Sequence, residues 1–181
     1  MSVMKQCIVK ILRFLMTPWR KAKAARYATS EMTLGRKELP NETFLPVVSK
    51  AIADGNAAVI LVKGYSMRPF LEHLRDSVEL SPWTDIHVGD AVLAEIAPGH
   101  YVLHRVVRRE GDELTLHGDG NLRGTEHCTM NDVRGVVSKY IAPAGHVTLA
   151  TDAKLIRRIR RWYRMPLCMR RLYLIIYKQT I

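Results

Sequence analysis

Seven short apolar stretches between residues 57 and 150 set the strongest limit on what this chain can fold into. They read "AAVILVK", "SVEL", "AVLAEI", "YVLHRVV", "ELTLHG", "VRGVVSKYI" and "HVTLA". Turn signals separate them: "VGD", "PGH", "EGDE", "GDGN" and "PAG". Short apolar runs bounded by Gly, Pro, Asp and Asn read as strands. The spacing therefore predicts a mainly antiparallel β domain, curled upon itself. A helix precedes it: from the N-cap candidate Asn41, the apolar residues Leu45, Val48, Ala51 and Ile52 recur at helical spacing, and Gly55 supplies a stop. Pro46 falls early enough in that helix to be tolerated.

Charge divides the 181 residues into three parts. Residues 1–37 carry +8 and residues 154–181 carry +9, which leaves −6 of the total +11 on the middle of the chain. The expected organisation is a basic segment and linker over 1–40, a folded domain over 41–150, and a basic helical segment over 151–181. Residues 3–26 read as a basic amphipathic helix and 28–40 as a linker. The C-terminal helix starts near Asp152 and reaches Pro166, with a second apolar-basic segment after it. Both ends mix arginine with large apolar residues, as in "LIRRIRRWYRMPLCMRRLYLIIY". That mixture suits an anionic membrane surface or a helix packed on the core, and it suits a polynucleotide less well.

No stretch offers the roughly 20 apolar residues of a spanning helix, and the N-terminus lacks the pattern of a secretory signal. Cys7, Cys128 and Cys168 give neither a disulfide framework nor a metal-ligand spacing. The expected location is the cytoplasm, with the basic ends available to the inner membrane face. With 48% hydrophobic and 25% charged residues, wholesale disorder is excluded.

Chemistry narrows to a few residues. His73, His87, His100, His117, His127 and His146 fall in turn-like or strand-edge contexts where solvated rings are expected, and no His or Cys pair has metal-site spacing. No metal or other cofactor is expected. His104 differs because "YVLHRVV" flanks it with apolar residues, which places the ring near the core. A structural histidine and a general base both fit that placement. Asp119, in "GDGN", belongs to a tight turn, and an acid at a strand end can also orient a neighbouring imidazole. Ser66 sits in "VKGYSMRPF", where an apolar strand breaks into a corner.

In that order, "GYSMRP", "VLHRVV" and "GDGN" resemble the S24/S26 serine peptidases, which include type I signal peptidases and the self-cleaving LexA-like repressors. The resemblance spans roughly residues 42–142. It implies a signal-peptidase-like β fold with Ser66 as nucleophile in a Gly64-x-Ser66-Met67-x-Pro69 motif. His104 stands where many members have lysine, as in the histidine branch of the signal peptidases. Asp119 corresponds to that branch's aspartate, with Gly118 and Asn121 completing its motif. Gly64 replaces a hydroxyl residue that often helps hold the oxyanion, so backbone N–H groups, including that of Ser66, would carry that task. Arg105 matches a basic residue beside the base and is expected to be structural. Glu126, in "LRGTEHC", is the only acid where the histidine branch tends to have an aspartate pair.

The implied activity is a serine endopeptidase that removes a leader or signal-like segment from a peptide or protein by a Ser-His-Asp mechanism. The rivals are a self-cleaving regulator and a silent peptide-binding protein. For the first, the only Ala-Gly pair, Ala144-Gly145, lies after the catalytic motifs.

Overall fold

The computed structural model describes residues 41–179. The basic helix expected over 3–26 and the linker expected over 28–40 lie outside the described residues. Helix α1 (Asn41–Ala53) opens the fold and lays Leu45, Val48 and Ile52 on the sheet. Eight strands follow: β1 (Ala58–Leu61), β2 (Ser77–Ser81), β3 (Ala91–Ala97), β4 (His100–Glu110), β5 (Glu113–His117), β6 (Glu126–Thr129), β7 (Val133–Ile141) and β8 (Val147–Leu149). Two helices close the described chain, α2 (Ala153–Arg164) and α3 (Leu167–Gln179).

Each of the seven apolar stretches forms a strand. The eighth strand, β6, was not expected, because "EHCT" is polar and too short to alternate visibly. All pairings are antiparallel, in the order β1-β2-β7-β3-β4-β5-β6, with β8 also on β7. β7 bridges the two halves: Val136–Ile141 pair with β2, and Val133–Val136 pair with β3. Register shifts interrupt four of these ladders, and such irregularities bend and twist a sheet. One core cluster of Ile86, Val92, Ala94, Val106, Leu114, Leu116 and Val133 packs on the sheet, with Trp83, Ile96 and Val102 against it.

The C-terminal helices belong to the same compact unit as the sheet. Asp152 caps α2, its Oδ1 accepting the N–H groups of Lys154 and Leu155 at 2.8 Å each. Leu155, Ile159 and Trp162 recur at i, i+4 and i+7 and turn inward. Trp162 meets the edge of Phe70 (6.3 Å between centroids) and of Tyr173 from α3 (5.4 Å). The chain breaks at Met165-Pro166, where the sequence led one to expect it. Lys154, Arg157, Arg160, Arg161 and Arg164 face outward. Of the two readings of this segment, packing on the core describes its inner face. Among the described residues, no helix is long and apolar enough to cross a membrane.

Candidate active site

The stretch after β1 turns sharply at Gly64, whose φ of +104° suits a residue without Cβ. Its N–H donates to His73 Nδ1 at 2.8 Å, so His73 is a structural acceptor and not a freely solvated ring. Ser66 is half-buried in the turn that follows, while Met67, Pro69, Phe70 and Leu71 are buried and anchor it. Arg68 forks onto Glu72 and lies over the Tyr65 ring at 4.2 Å. The nucleophile candidate is thus presented on a turn fixed from both ends.

The "GDGN" loop grips this turn from the other side. Gly120 N–H donates to Ser66 O at 2.7 Å, and Asn121 N–H closes the loop onto Gly118 O at 2.9 Å. Both glycines are required by close approach. A Cβ on Gly118 would lie 2.7 Å from Ser66 O, and one on Gly120 would lie 2.9 Å from Tyr65 O and 3.1 Å from Arg68 O. Among the described residues, the turn's own backbone hydrogen bonds do not use the N–H groups of Ser66 and Met67.

His104 reaches this place by register. Arg105 on β4 pairs with His117 on β5, so Gly118, the next residue, comes alongside His104. The His104 ring is 6% exposed, and its Nδ1–H donates to Glu126 Oε2 at 2.8 Å. A carboxylate on Nδ1 fixes the tautomer and leaves Nε2 as the basic nitrogen. Glu126 stands at the start of β6, level with Leu116 of β5. Its side chain keeps 28% exposure. Among the described residues His104 bonds to Glu126 and not to Ser66.

Asp119 does not orient His104; this corrects the sequence expectation. Its carboxylate is fully buried and takes Arg105 Nε at 2.8 Å on one oxygen and Arg105 Nη2 at 2.6 Å on the other. The Tyr163 hydroxyl donates to Oδ1 at 2.7 Å. The reason is the pleat. Successive residues of a strand point to opposite faces, so His104 and Arg105 diverge, and an acid bound to Arg105 lies on the wrong side for His104. Arg105 is 1% exposed and also donates to Gly89 O at 2.8 Å. Burial opposes its charge, but Asp119 and Tyr140 outweigh it and hold the guanidinium above its ordinary range.

His117 also departs from expectation: it is buried on the Arg105 face, not solvated. Burial first, and then the positive charge of Arg170, push its pKa below the ordinary 6.5. Burial and the Asp119 charge push the neighbouring Tyr163 phenol upward, so it stays a donor. Among the described residues no cluster of three or more His, Cys, Asp or Glu is placed to hold a metal ion.

The sequence offered Glu126 only as a supporting guess and gave no role to Trp162, Tyr163 or Arg170. The i, i+4, i+7 spacing of Leu155, Ile159 and Trp162 was the available sign that this helix faces the core. No protein-family model matches the chain, and neither a curated protein nor a solved structure matches it significantly.

Proposed function

We propose that the chain is a serine endopeptidase of the S24/S26 type, working through Ser66, His104 and Glu126. One observation carries the reading: the buried imidazole has its Nδ1–H on a carboxylate, on the strand against whose neighbouring loop the Ser66 turn is held. That arrangement is what a general base needs, with one nitrogen tied to an orienting acid and the other basic. The Ser66–His104 hydrogen bond closes when substrate binds, as catalytic hydrogen bonds commonly do.

In the proposed mechanism Ser66 Oγ attacks the peptide carbonyl carbon while His104 Nε2 takes the hydroxyl proton. Glu126 steadies the imidazolium that forms. The N–H groups of Ser66 and Met67 receive the oxyanion, a task that falls to backbone because Gly64 has no side chain to offer. His104 then gives its proton to the leaving amine, and water attacks the acyl-enzyme by the same route in reverse. The substrate, a leader or signal-like peptide, adds as an extended strand to β1. That strand pairs only with β2 among the described strands and runs directly into the Ser66 turn.

The test is acylation of the protein by a fluorophosphonate probe together with cleavage of a peptide library. Wild type should label once and cleave, and Ser66→Ala should do neither. Equal behaviour of the two proteins sinks the assignment. Intact mass after incubation distinguishes the self-cleaving alternative: a fragment pair that Ser66→Ala does not produce would favour it.

The outer face of the C-terminal helices supports a location. Five outward Lys/Arg on α2 and the exposed Leu167, Leu172 and Ile175 on α3, with no acid from Ala153 to Gln179, suit an anionic lipid surface. Flotation with vesicles of anionic and of neutral lipid tests it. Binding should require anionic lipid and weaken when Arg157, Arg160 and Arg161 become glutamine.

A further inference from the structure

Three side chains from the C-terminal helices meet on one residue of the "GDGN" loop. Trp162 Nε1–H donates to the Asp119 carbonyl oxygen at 2.8 Å, Arg170 Nη2–H donates to the same oxygen at 3.2 Å, and the Tyr163 hydroxyl donates to the Asp119 carboxylate at 2.7 Å. Asp119 in turn holds Arg105, next to the candidate base, and Gly120, the following residue, holds the carbonyl of Ser66. The loop therefore has the C-terminal helices on one side and both candidate catalytic elements on the other.

The chemistry of Arg170 indicates more than packing. It is 6% exposed, and among the described residues it takes part in no ion pair and its buried Nε has no hydrogen-bond partner. The Asp119 carbonyl it reaches is neutral and is shared with Trp162, so it supplies no counter-charge. Stacking of the guanidinium over Trp162 (5.0 Å) and Tyr163 (5.2 Å) offsets part of the cost. A buried cation with an unmet donor destabilises a fold, and departures of that kind concentrate where geometry serves function.

We infer that Trp162, Tyr163 and Arg170 are positioning residues of the Ser66 site, acting through Asp119 and Gly120. The C-terminal helices are then a wall of the active centre. The inference rests on the peptidase reading for its kinetic consequence, while its structural consequence is independent of that reading. The Tyr163 hydroxyl and the Arg170 cation keep the loop in the one place where Gly120 N–H meets Ser66 O. Misplacement of a reacting group by about an ångström costs on the order of a hundredfold in rate.

The experiment compares Tyr163→Phe and Arg170→Met with Ile159→Val. Ile159 is buried on α2, but its side chain has no polar atom to offer Asp119. Two quantities are read on the full chain: the rate of Ser66 acylation by a fluorophosphonate across pH, per folded molecule, and amide hydrogen exchange at Gly120. Tyr163→Phe and Arg170→Met should each slow acylation about tenfold or more, without moving the midpoint of its pH profile. Both should speed exchange at Gly120 relative to core amides. Ile159→Val should lower stability and leave both readings as in wild type. If Gly120 exchange and acylation follow stability alike in all three variants, the positioning role is overturned. If no protein, wild type included, is acylated, the peptidase reading fails and Gly120 exchange alone decides the positioning role.

Discussion

Exchanging Asp119 for asparagine keeps the side chain's shape and removes its charge. The carboxylate is fully buried and receives Arg105 through two nitrogens, at 2.8 and 2.6 Å, besides the Tyr163 hydroxyl. The variant leaves the Arg105 guanidinium buried without a counter-charge. Breaking such a pair from one side costs about 3–5 kcal/mol. For a chain of 181 residues that corresponds to a fall in Tm of about 10 °C. Glu126→Gln is the paired measurement. That side chain keeps 28% exposure, so its stability effect should stay within about 1 kcal/mol. Its kinetic effect should be far larger: losing the carboxylate on His104 Nδ1 lowers acylation of Ser66 by about a thousandfold or more. Urea unfolding at pH 7 and fluorophosphonate kinetics on the folded fraction read the two. The reverse pattern, a stable Asp119→Asn with dead chemistry beside an active Glu126→Gln, would refute this division of labour between the acids.

Other outcomes follow from the same geometry. The neutral His117 ring stabilises the fold fully above about pH 6.5, because its folded-state pKa lies below the unfolded one. Thermal stability should therefore decline as pH falls from there towards the folded-state value and level below it, and His117→Gln should flatten that decline. Gly120→Ala places a methyl 2.9 Å from Tyr65 O, so it should cost about 1–3 kcal/mol in urea unfolding and slow acylation with it. Asp152→Ala removes the acceptor for two N–H groups at the start of α2 and should lower stability by about 1 kcal/mol, readable as a Tm shift of a few degrees.

Short apolar runs between turn signals made seven of the eight strands legible, because the need to bury a strand writes itself into the sequence. β6 had no such trace, since Glu126 to Thr129 carry little apolar surface to hide. Ser66 and His104 became candidates through the ordered motifs "GYSMRP", "VLHRVV" and "GDGN"; their settings alone, a strand ending in a corner and a histidine among apolar neighbours, fit a structural reading as well. Which acid faces the histidine was not legible. Order along the chain places Asp119 near the base, but the face it occupies depends on the β4–β5 register and on Arg105 claiming its carboxylate. The basic C-terminal segment was read by its charge, which is an outward property. Its inward face, with Trp162 and Arg170 on the Asp119 carbonyl, depends on contacts across more than 40 residues of sequence.

The adjacency of His104 and Arg105 on β4 gives the strand a built-in proofreading of its pairing. A slip of one residue against β3 and β5 exchanges every side chain between the two faces. The guanidinium would then meet Glu126, while Asp119 would face an imidazole on the side of Tyr163 and His117, with its charge no longer forked by two nitrogens. A slipped strand would thus lose a buried ion pair and the proposed base in the same error. A misthreaded molecule that survived without its proposed base would have to bear the loss of the buried Arg105–Asp119 pair. The proposed site and a correctly threaded sheet therefore depend on the same two neighbouring positions.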